Sequence, residues 1–141
     1  MKELIKKIEQ WAIDREVHKK GTVEGQSIKT TGKIAELIKG ISQDNTNLIK
    51  DSVGDIFVTL VIGNMLDKNI DIEEYYSEIN RNPRKYLVAI GCLPQTIIDV
   101  IRNGYCKDIL YYGLANLMVI ADVYNLDFKD CVESAYKKMD N

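Results

Sequence analysis

The stretch IFVTLVIG, residues 56–63, decides the fold prediction for this chain of 141 residues. It is apolar all round except for one threonine. Such a run fits either a buried helix or a strand, since Ile, Val and Phe favour strands. The turn-forming residues 42–47 precede it, and either Asp44 or Asn45 can cap a helix that extends to about Lys68. Because the flanks are helical and no second strand is evident, we predict a helix that is buried on most sides.

Helical patterns continue from this stretch towards the N-terminus. Residues 2–15 carry apolar side chains at helical spacing, with lysines and glutamates between them. Residues 16–25 lack periodicity and contain two glycines, so we expect a loop there. A further helix is predicted over residues 26–40, with Gly40 placed to end it. Its core side is marked by four positions, Ile28, Thr31, Ala35 and Ile38.

Helices are also predicted towards the C-terminus. Asp71 can cap a short helix that ends near residue 80, and residues 83–103 are helical in pattern, starting at Pro83. Pro94 lies inside that segment, where it either kinks one helix or divides two. Gly104 is a helix terminator, followed by helices over residues 107–124 and from Asp127 to about residue 139. The two prolines are the only ones in the chain, and we predict about seven helices in one all-α domain, residues 1–141.

Six residues recur at an interval of 56 positions. NIDIEE at residues 69–74 is echoed by NLDFKD at residues 125–130, and each follows a long apolar helix and opens a short amphipathic one. A duplicated helical hairpin would explain the echo. A coincidence between two similarly capped helices explains it equally well, and two copies are too few for a solenoid.

Composition excludes several classes of protein. Nineteen basic and 21 acidic residues leave a net charge of −2, which argues against a strongly basic nucleic-acid binder and an acidic disordered tail. The longest apolar run, residues 109–121, is shorter than the roughly 20 residues of a membrane span. The N-terminus is not a signal peptide, and the three cysteines form no CxxC pair. We expect a cytoplasmic protein with free thiols that binds neither membrane nor nucleic acid.

Carboxylates on the two central helices are candidates for a metal site. Asp51 and Asp55 are four residues apart and share a helix face, and Glu36 lies at the edge of the preceding helix's core stripe. If the two helices pack antiparallel, Glu36 and Asp55 can face each other, and converging carboxylates suit Mg²⁺. In the alternative, Asp51 is a first-turn partner of the helix dipole and Glu36 pairs with Lys33 or Lys39.

A family resemblance is carried by short motifs in residues 8–72 and 123–139. They are Trp11 with DR at 14–15, QSIK at 26–29, EL at 36–37, KDSVGDIFV at 50–58 and the tail at 126–136. On these motifs the chain resembles the MazG-like, all-α nucleoside triphosphate pyrophosphohydrolases, in particular the short phage-type members. The resemblance implies a bundle of about six to seven helices that dimerises through helices. It also implies a MazG-like core at about 1–80, with a further hairpin and closing helix at about 82–140.

The resemblance implies a chemistry as well. A MazG-like enzyme cleaves a nucleoside triphosphate to the monophosphate and pyrophosphate, with carboxylates holding Mg²⁺ ions and a base activating water. Glu36 and Asp55 would be the catalytic metal ligands, with Asp51 as a substitute ligand or the base. Lys29 and Lys33 would contact the phosphates. Trp11 either stacks on the nucleotide base or is an ordinary core residue of its amphipathic helix.

The chain departs from the family pattern at three acidic positions. The paired glutamates fall on Gly32 and Lys33 here, and a further acidic position falls on Ser52. Losing these ligands should weaken Mg²⁺ binding, and Lys33 places a fixed positive charge where a cation would sit. A lysine can hold phosphate without metal. The alternative function is therefore a catalytically inactive nucleotide-binding or helical interaction protein of the same fold.

Overall fold

Helices make up most of the chain in the computed structural model, which describes residues 1–81 and 86–140 except for the side chain of residue 75. No strand occurs in these described ranges, so the prediction of an all-α fold is confirmed. The helices are α1 (Lys2–Asp14), α2 (Val17–Lys20), α3 (Val23–Ser42), α4 (Thr46–Leu66), α5 (Glu73–Tyr76), α6 (Tyr86–Asn103), α7 (Lys107–Val123) and α8 (Phe128–Asp140).

The central element is α4, the helix predicted from the apolar stretch. Asn45 caps it, because its side-chain oxygen accepts a hydrogen bond from the backbone N–H of Leu48 at 3.1 Å. Every residue from Ile56 to Asn64 is buried. Helices α1, α3, α7 and α8 all pack against α4, which explains why its apolar surface continues around the whole circumference.

The N-terminal segment is more helical than its sequence indicates. Helix α1 matches its prediction, but the expected loop at residues 16–25 is interrupted by the short helix α2. Helix α3 begins three residues early because the Thr22 hydroxyl caps it, accepting from the N–H of Gly25 at 3.0 Å. The loop prediction is therefore wrong for seven of its ten residues.

The buried face of α3 is not the predicted one. The four residues expected on the core side (Ile28, Thr31, Ala35 and Ile38) are all exposed. The face that packs inward instead carries Gln26, Ser27, Thr30, Ile34, Leu37 and Gly40. Its hydroxyls can be buried because Ser27 donates to the carbonyl of Val23 at 2.8 Å and Thr30 donates to Thr59 at 2.7 Å.

Gly40 does not end α3. The helix continues to Ser42, and Gly40 is buried against α4, where a Cβ would lie 3.1 Å from a side-chain carbon of Ile49 and 3.2 Å from its backbone nitrogen. The glycine therefore allows the two helices to approach closely. Its role is packing between α3 and α4 and not C-terminal capping.

The C-terminal half follows the predictions with two adjustments. Helix α5 ends at Tyr76 and not near residue 80. Pro94 lies inside the single helix α6, so it does not divide two helices, while the predicted start at Pro83 falls outside the described residues. Gly104 ends α6 with a φ of +76°, as a helix terminator requires.

Helix α7 has little apolar surface to offer a partner. Leu110, Gly113, Leu114 and residues 117–121 are buried inside the chain's own core, between α4, α6 and α8. Its apolar composition is therefore explained by internal packing. Dimerisation through helices stays a prediction.

The two echoed segments, residues 69–74 and 125–130, have the same backbone conformation at their turns. Asn69 and Asn125 both adopt left-handed φ angles, +52° and +54°, after α4 and α7. Asp71 and Asp127 then accept hydrogen bonds from backbone N–H groups two and three residues later, at 3.0 and 3.1 Å. Asparagine tolerates the left-handed region and aspartate is a good cap, so the same chemistry recurs at both turns.

Buried apolar side chains from α1, α3, α4, α6, α7 and α8 form one cluster. In the described ranges, no helix is by itself long and apolar enough to span a membrane. Helices α7 and α8 pass that test only as a pair, which is bent by 103°.

Candidate functional site

Asp55 of α4 forms ion pairs with one lysine of α3 and one lysine of α8. One carboxylate oxygen, Oδ2, lies 3.3 Å from the ammonium nitrogen of Lys33 on α3 and 3.2 Å from that of Lys138 on α8. Lys33 also lies 3.5 Å from a carboxylate oxygen of Glu36, one helical turn along α3. The Asp55 side chain is only 13% exposed, so this charge is compensated by two lysines in a largely buried position.

The carboxylates keep Lys33 protonated. Partial burial alone would lower its pKa, but the charges and hydrogen bonds of Asp55 and Glu36 outweigh that effect, and the pKa of Lys33 is raised. Its ammonium group therefore stays charged throughout the physiological range. The site presents a permanent cation at the position where the MazG-like pattern has an acid.

A pocket of about 280 Å³ opens beside this cluster. Helices α1, α3, α4 and α8 all contribute to its wall, together with Val17 of α2. Its lining holds three lysines and one carboxylate, and Glu36 outside the lining offsets part of the charge of Lys33. The lining residues are Trp11, Val17, Gln26, Lys29, Lys33, Asp55, Val58, Thr59, Ile62, Lys138 and Met139.

Gln26, one of the lining residues, carries a buried polar atom without a partner. The residue is only 5% exposed, and among the described residues its side-chain oxygen has no hydrogen-bond partner. Leaving such a group unpaired costs free energy, about 1–3 kcal/mol for a typical buried polar atom. This oxygen has essentially no accessible surface, so a ligand in the pocket would reach it only after the side chain had turned.

Trp11 lies in the same wall and is held from two sides. Its indole N–H donates to the backbone carbonyl of Met139 at 3.2 Å, which ties α1 to the end of α8. The guanidinium of Arg15 lies 4.3 Å from the centre of its ring. The side chain is therefore partly a packing residue and partly a pocket residue, and both sequence interpretations of Trp11 remain open.

The predicted metal ligands do not converge. Glu36 is half-exposed and paired with Lys33, and Asp51 is exposed and does not line the pocket. Across residues 1–81 and 86–140, no group of three or more acidic, histidine or cysteine side chains is arranged to hold a metal ion. Two ammonium groups already occupy the space around Asp55 Oδ2. This donor set does not fit a divalent cation, and Mg²⁺ binding stays a prediction.

Sequence reasoning anticipated four residues of the pocket lining, Trp11, Lys29, Lys33 and Asp55. It did not name Lys138, which is 83 positions from Asp55 and reaches it only because α8 packs on α4. No local spacing could have indicated that contact. Gln26 belongs to the QSIK motif, but only the fold reveals that its oxygen is buried without a partner.

A larger cavity of about 540 Å³ lies elsewhere, between the start of α1, α5 and α8. Its lysines and glutamates nearly balance, and none of the predicted site residues lines it. The smaller pocket is the better candidate because it borders the Asp55, Lys33 and Lys138 cluster and contains four of the predicted site residues.

Comparison with known proteins gives one informative relative. No protein-family model matches the chain, and no solved structure matches it. The chain is 28% identical, over 161 aligned positions, to an "Uncharacterized 18.2 kDa protein in rep-hol intergenic region" of Haemophilus phage HP1 (strain HP1c1). That similarity covers 96% of this chain and 97% of the phage protein. The chain therefore has a phage relative over almost its whole length, and MazG-like membership stays a prediction.

Proposed function

We propose that this chain is a divergent MazG-like protein that binds the phosphate groups of a nucleotide in the pocket without requiring Mg²⁺. The observation that carries the proposal is the position of Lys33, whose ammonium group lies between Glu36 and Asp55, two of the three carboxylates expected to hold metal. A cation fixed by the protein replaces the cation that the family pattern would recruit from solution. The pyrophosphohydrolase is thereby the less favoured function, and the nucleotide-binding alternative is preferred.

The charges around Asp55 explain how phosphate would bind. In the absence of ligand, the Asp55 carboxylate supplies the negative charge that keeps Lys33 and Lys138 close together. A phosphate group offers more negative charge and more acceptor oxygens than one carboxylate, so it can share or take over both lysines. Lys29 lies in the same lining and adds a third ammonium group.

The remainder of the pocket suits a base and sugar. Val58, Ile62 and the Trp11 ring provide apolar surface, and a volume of about 280 Å³ is near the lower end for small-molecule sites. A turn of the Gln26 side chain towards the pocket would let its oxygen accept a hydrogen bond from an amino or ring N–H group of a base. Phosphates at the lysines and a base near Gln26 would together use both unusual features of the pocket.

The test is equilibrium binding of a panel of nucleoside and deoxynucleoside triphosphates, measured by calorimetry in the presence of EDTA. We expect binding to the wild-type protein and a loss of roughly tenfold to thirtyfold in affinity for Lys33→Gln and for Lys138→Gln, because each removes a charge-assisted hydrogen bond. Lys107→Gln is the matched control. Lys107 is also ion-paired, at 3.5 Å to Glu74, but does not line the pocket.

Pyrophosphate release with Mg²⁺ or Mn²⁺ separates the alternatives. Metal-dependent release by the wild-type protein that is lost in Glu36→Ala and Asp55→Ala, without binding in EDTA, would contradict the proposal and favour the hydrolase. Neither binding nor release would favour a helical interaction protein.

A further inference from the structure

The cavity of about 540 Å³ between the start of α1, α5 and α8 is lined mainly by charged side chains. It shares no lining residue with the pocket beside Asp55, and its volume is typical of small-molecule sites. Three glutamates, Glu3, Glu73 and Glu133, lie in its wall. Four lysines accompany them, at positions 2, 7, 129 and 137. The cavity can therefore offer both signs of charge to a ligand.

These charges are not used within the chain. Lys129, Glu133 and Lys137 follow one another at intervals of four residues on α8, and Glu3 and Lys7 have the same spacing on α1. Side chains at this spacing commonly form ion pairs on a helix. Within residues 1–81 and 86–140, however, none of the seven lining lysines and glutamates forms an ion pair. All seven are therefore available to a charged ligand.

The acidic part of the wall is more enclosed than the basic part. Glu73 and Glu133 are half-buried, and so is Tyr136, while Leu4 is buried. All four lysines are exposed, as is Glu3. A ligand would therefore meet carboxylates in the enclosed part of the cavity and ammonium groups at its rim.

Glu73 lacks part of the hydration of an exposed carboxylate. One of its oxygens, Oε2, is buried, and among the described residues it has no hydrogen-bond partner. Burying a charged group without a partner is costly, because the lost hydration is not replaced. An ammonium group in the cavity would compensate the whole carboxylate by Coulomb attraction, so it need not contact the buried oxygen itself.

We propose that this cavity binds a small zwitterion whose ammonium group lies at Glu73 and Glu133 and whose carboxylate lies at the exposed lysines. The two charges of the ligand must be well separated, since the acidic and basic parts of the wall differ in depth. A short linear peptide has this chemistry, with an ammonium group at one end and a carboxylate at the other. Two or three extended residues span roughly 7–10 Å, close to the edge of about 8 Å of a cube with the cavity's volume. The proposal does not depend on nucleotide binding at Lys33.

The test is titration of the wild-type protein with the tripeptide Ala-Leu-Ala, followed by NMR chemical shifts. The N-acetylated tripeptide and the tripeptide amide are the comparison ligands, because each lacks one of the two end charges. We expect saturable binding of Ala-Leu-Ala, a loss of roughly tenfold in affinity on acetylation, and a smaller loss of roughly threefold on amidation. The second loss is smaller because the lysines are exposed, and exposed ion pairs are weak. No saturable binding at millimolar tripeptide, or equal affinity for either modified form, would overturn the proposal.

Variants locate the ammonium group of the ligand within the cavity. Glu73→Gln should weaken binding of Ala-Leu-Ala by roughly tenfold but leave the affinity for the acetylated form unchanged, because that form has no ammonium group. Glu133→Gln should behave in the same way, and it repeats the test on a different helix. Glu74→Gln is the matched control, since Glu74 is the neighbouring residue of α5 and pairs with Lys107 outside the cavity. Equal weakening by Glu73→Gln and Glu74→Gln, or an equal loss for the free and the acetylated peptide, would overturn the proposal.

Discussion

At the scale of single residues, Gly54 is a position with no space for a side chain. It lies on α4 where α8 crosses, and a Cβ there would overlap the carbonyl oxygen of Cys131. The contact is with backbone, so it cannot be relieved by a side-chain rotation. We predict that Gly54→Ala lowers the free energy of unfolding by about 3 kcal/mol, measured from the midpoint of urea denaturation.

Gly91 provides the control for this prediction. It lies inside α6, and a Cβ there would meet no atom within 4 Å. Gly91→Ala should therefore stabilise the protein by about 0.5–1 kcal/mol, through the higher helix propensity of alanine. Destabilisation of similar size in both variants would contradict the claim that α4 and α8 leave no room for a Cβ at Gly54.

The candidate site shows what residue patterns can and cannot reveal. Asp55 is a candidate from the sequence because it can face Glu36 across two antiparallel helices. In the structure its partners are instead two lysines, Lys33 of α3 and Lys138 of α8. The first is within reach of local reasoning about two adjacent helices. The second depends on how α8 packs, which no spacing along the chain encodes.

At the scale of elements, the start of α4 depends on one side chain. Asn45 accepts a hydrogen bond from the Leu48 N–H, and the preceding residue, Asp44, has a φ of +51°. We predict that Asn45→Ala costs about 1 kcal/mol of stability, by loss of this cap, measured by thermal or urea unfolding. Asn47→Ala, two residues inside the helix, should instead be neutral or slightly stabilising. Equal costs for the two variants would contradict the capping role.

Helix α3 shows why a helix can be predicted correctly while the face that it buries is predicted wrongly. Apolar residues lie on both sides of it, Ile28 and Ala35 on one and Ile34 and Leu37 on the other. Periodicity alone cannot choose between the two sides. The choice follows from Ser27 and its neighbouring polar residues, which can be buried because they find hydrogen-bond partners locally or on α4.

At the scale of the whole molecule, several buried or partly buried groups make the free energy of unfolding fall at alkaline pH. Partial burial and a hydrogen bond with Tyr124 raise the pKa of Tyr86 to about 12, burial raises the pKa of Tyr105, and burial raises that of Cys131 to about 11. Above about pH 9 the unfolded chain begins to lose protons that the native protein keeps. The stability that these groups contribute is therefore fully present below that pH, and it is lost progressively as the pH rises through their native pKa values.

The measurement is the urea midpoint as a function of pH. We predict a plateau up to about pH 9 and a steady fall from there to about pH 12, because each such group contributes at most about 1.4 kcal/mol per pH unit. Tyr105→Phe removes a tyrosine that is 1% exposed, the most buried of those whose side chains the structure describes, and should make the fall shallower. A midpoint that stays constant to pH 12 would contradict the burial of these side chains.

The central claim is that lysines of the pocket hold phosphate in place of a metal ion, with Asp55 as their resident counter-charge. The most direct measurement is nucleoside triphosphate affinity in EDTA for the wild-type protein and for Asp55→Asn, which keeps the shape of the side chain. Removing a carboxylate that competes for Lys33 and Lys138 should raise the affinity, by roughly threefold to tenfold. Weaker binding in Asp55→Asn, or binding that appears only when Mg²⁺ is added, would contradict the account.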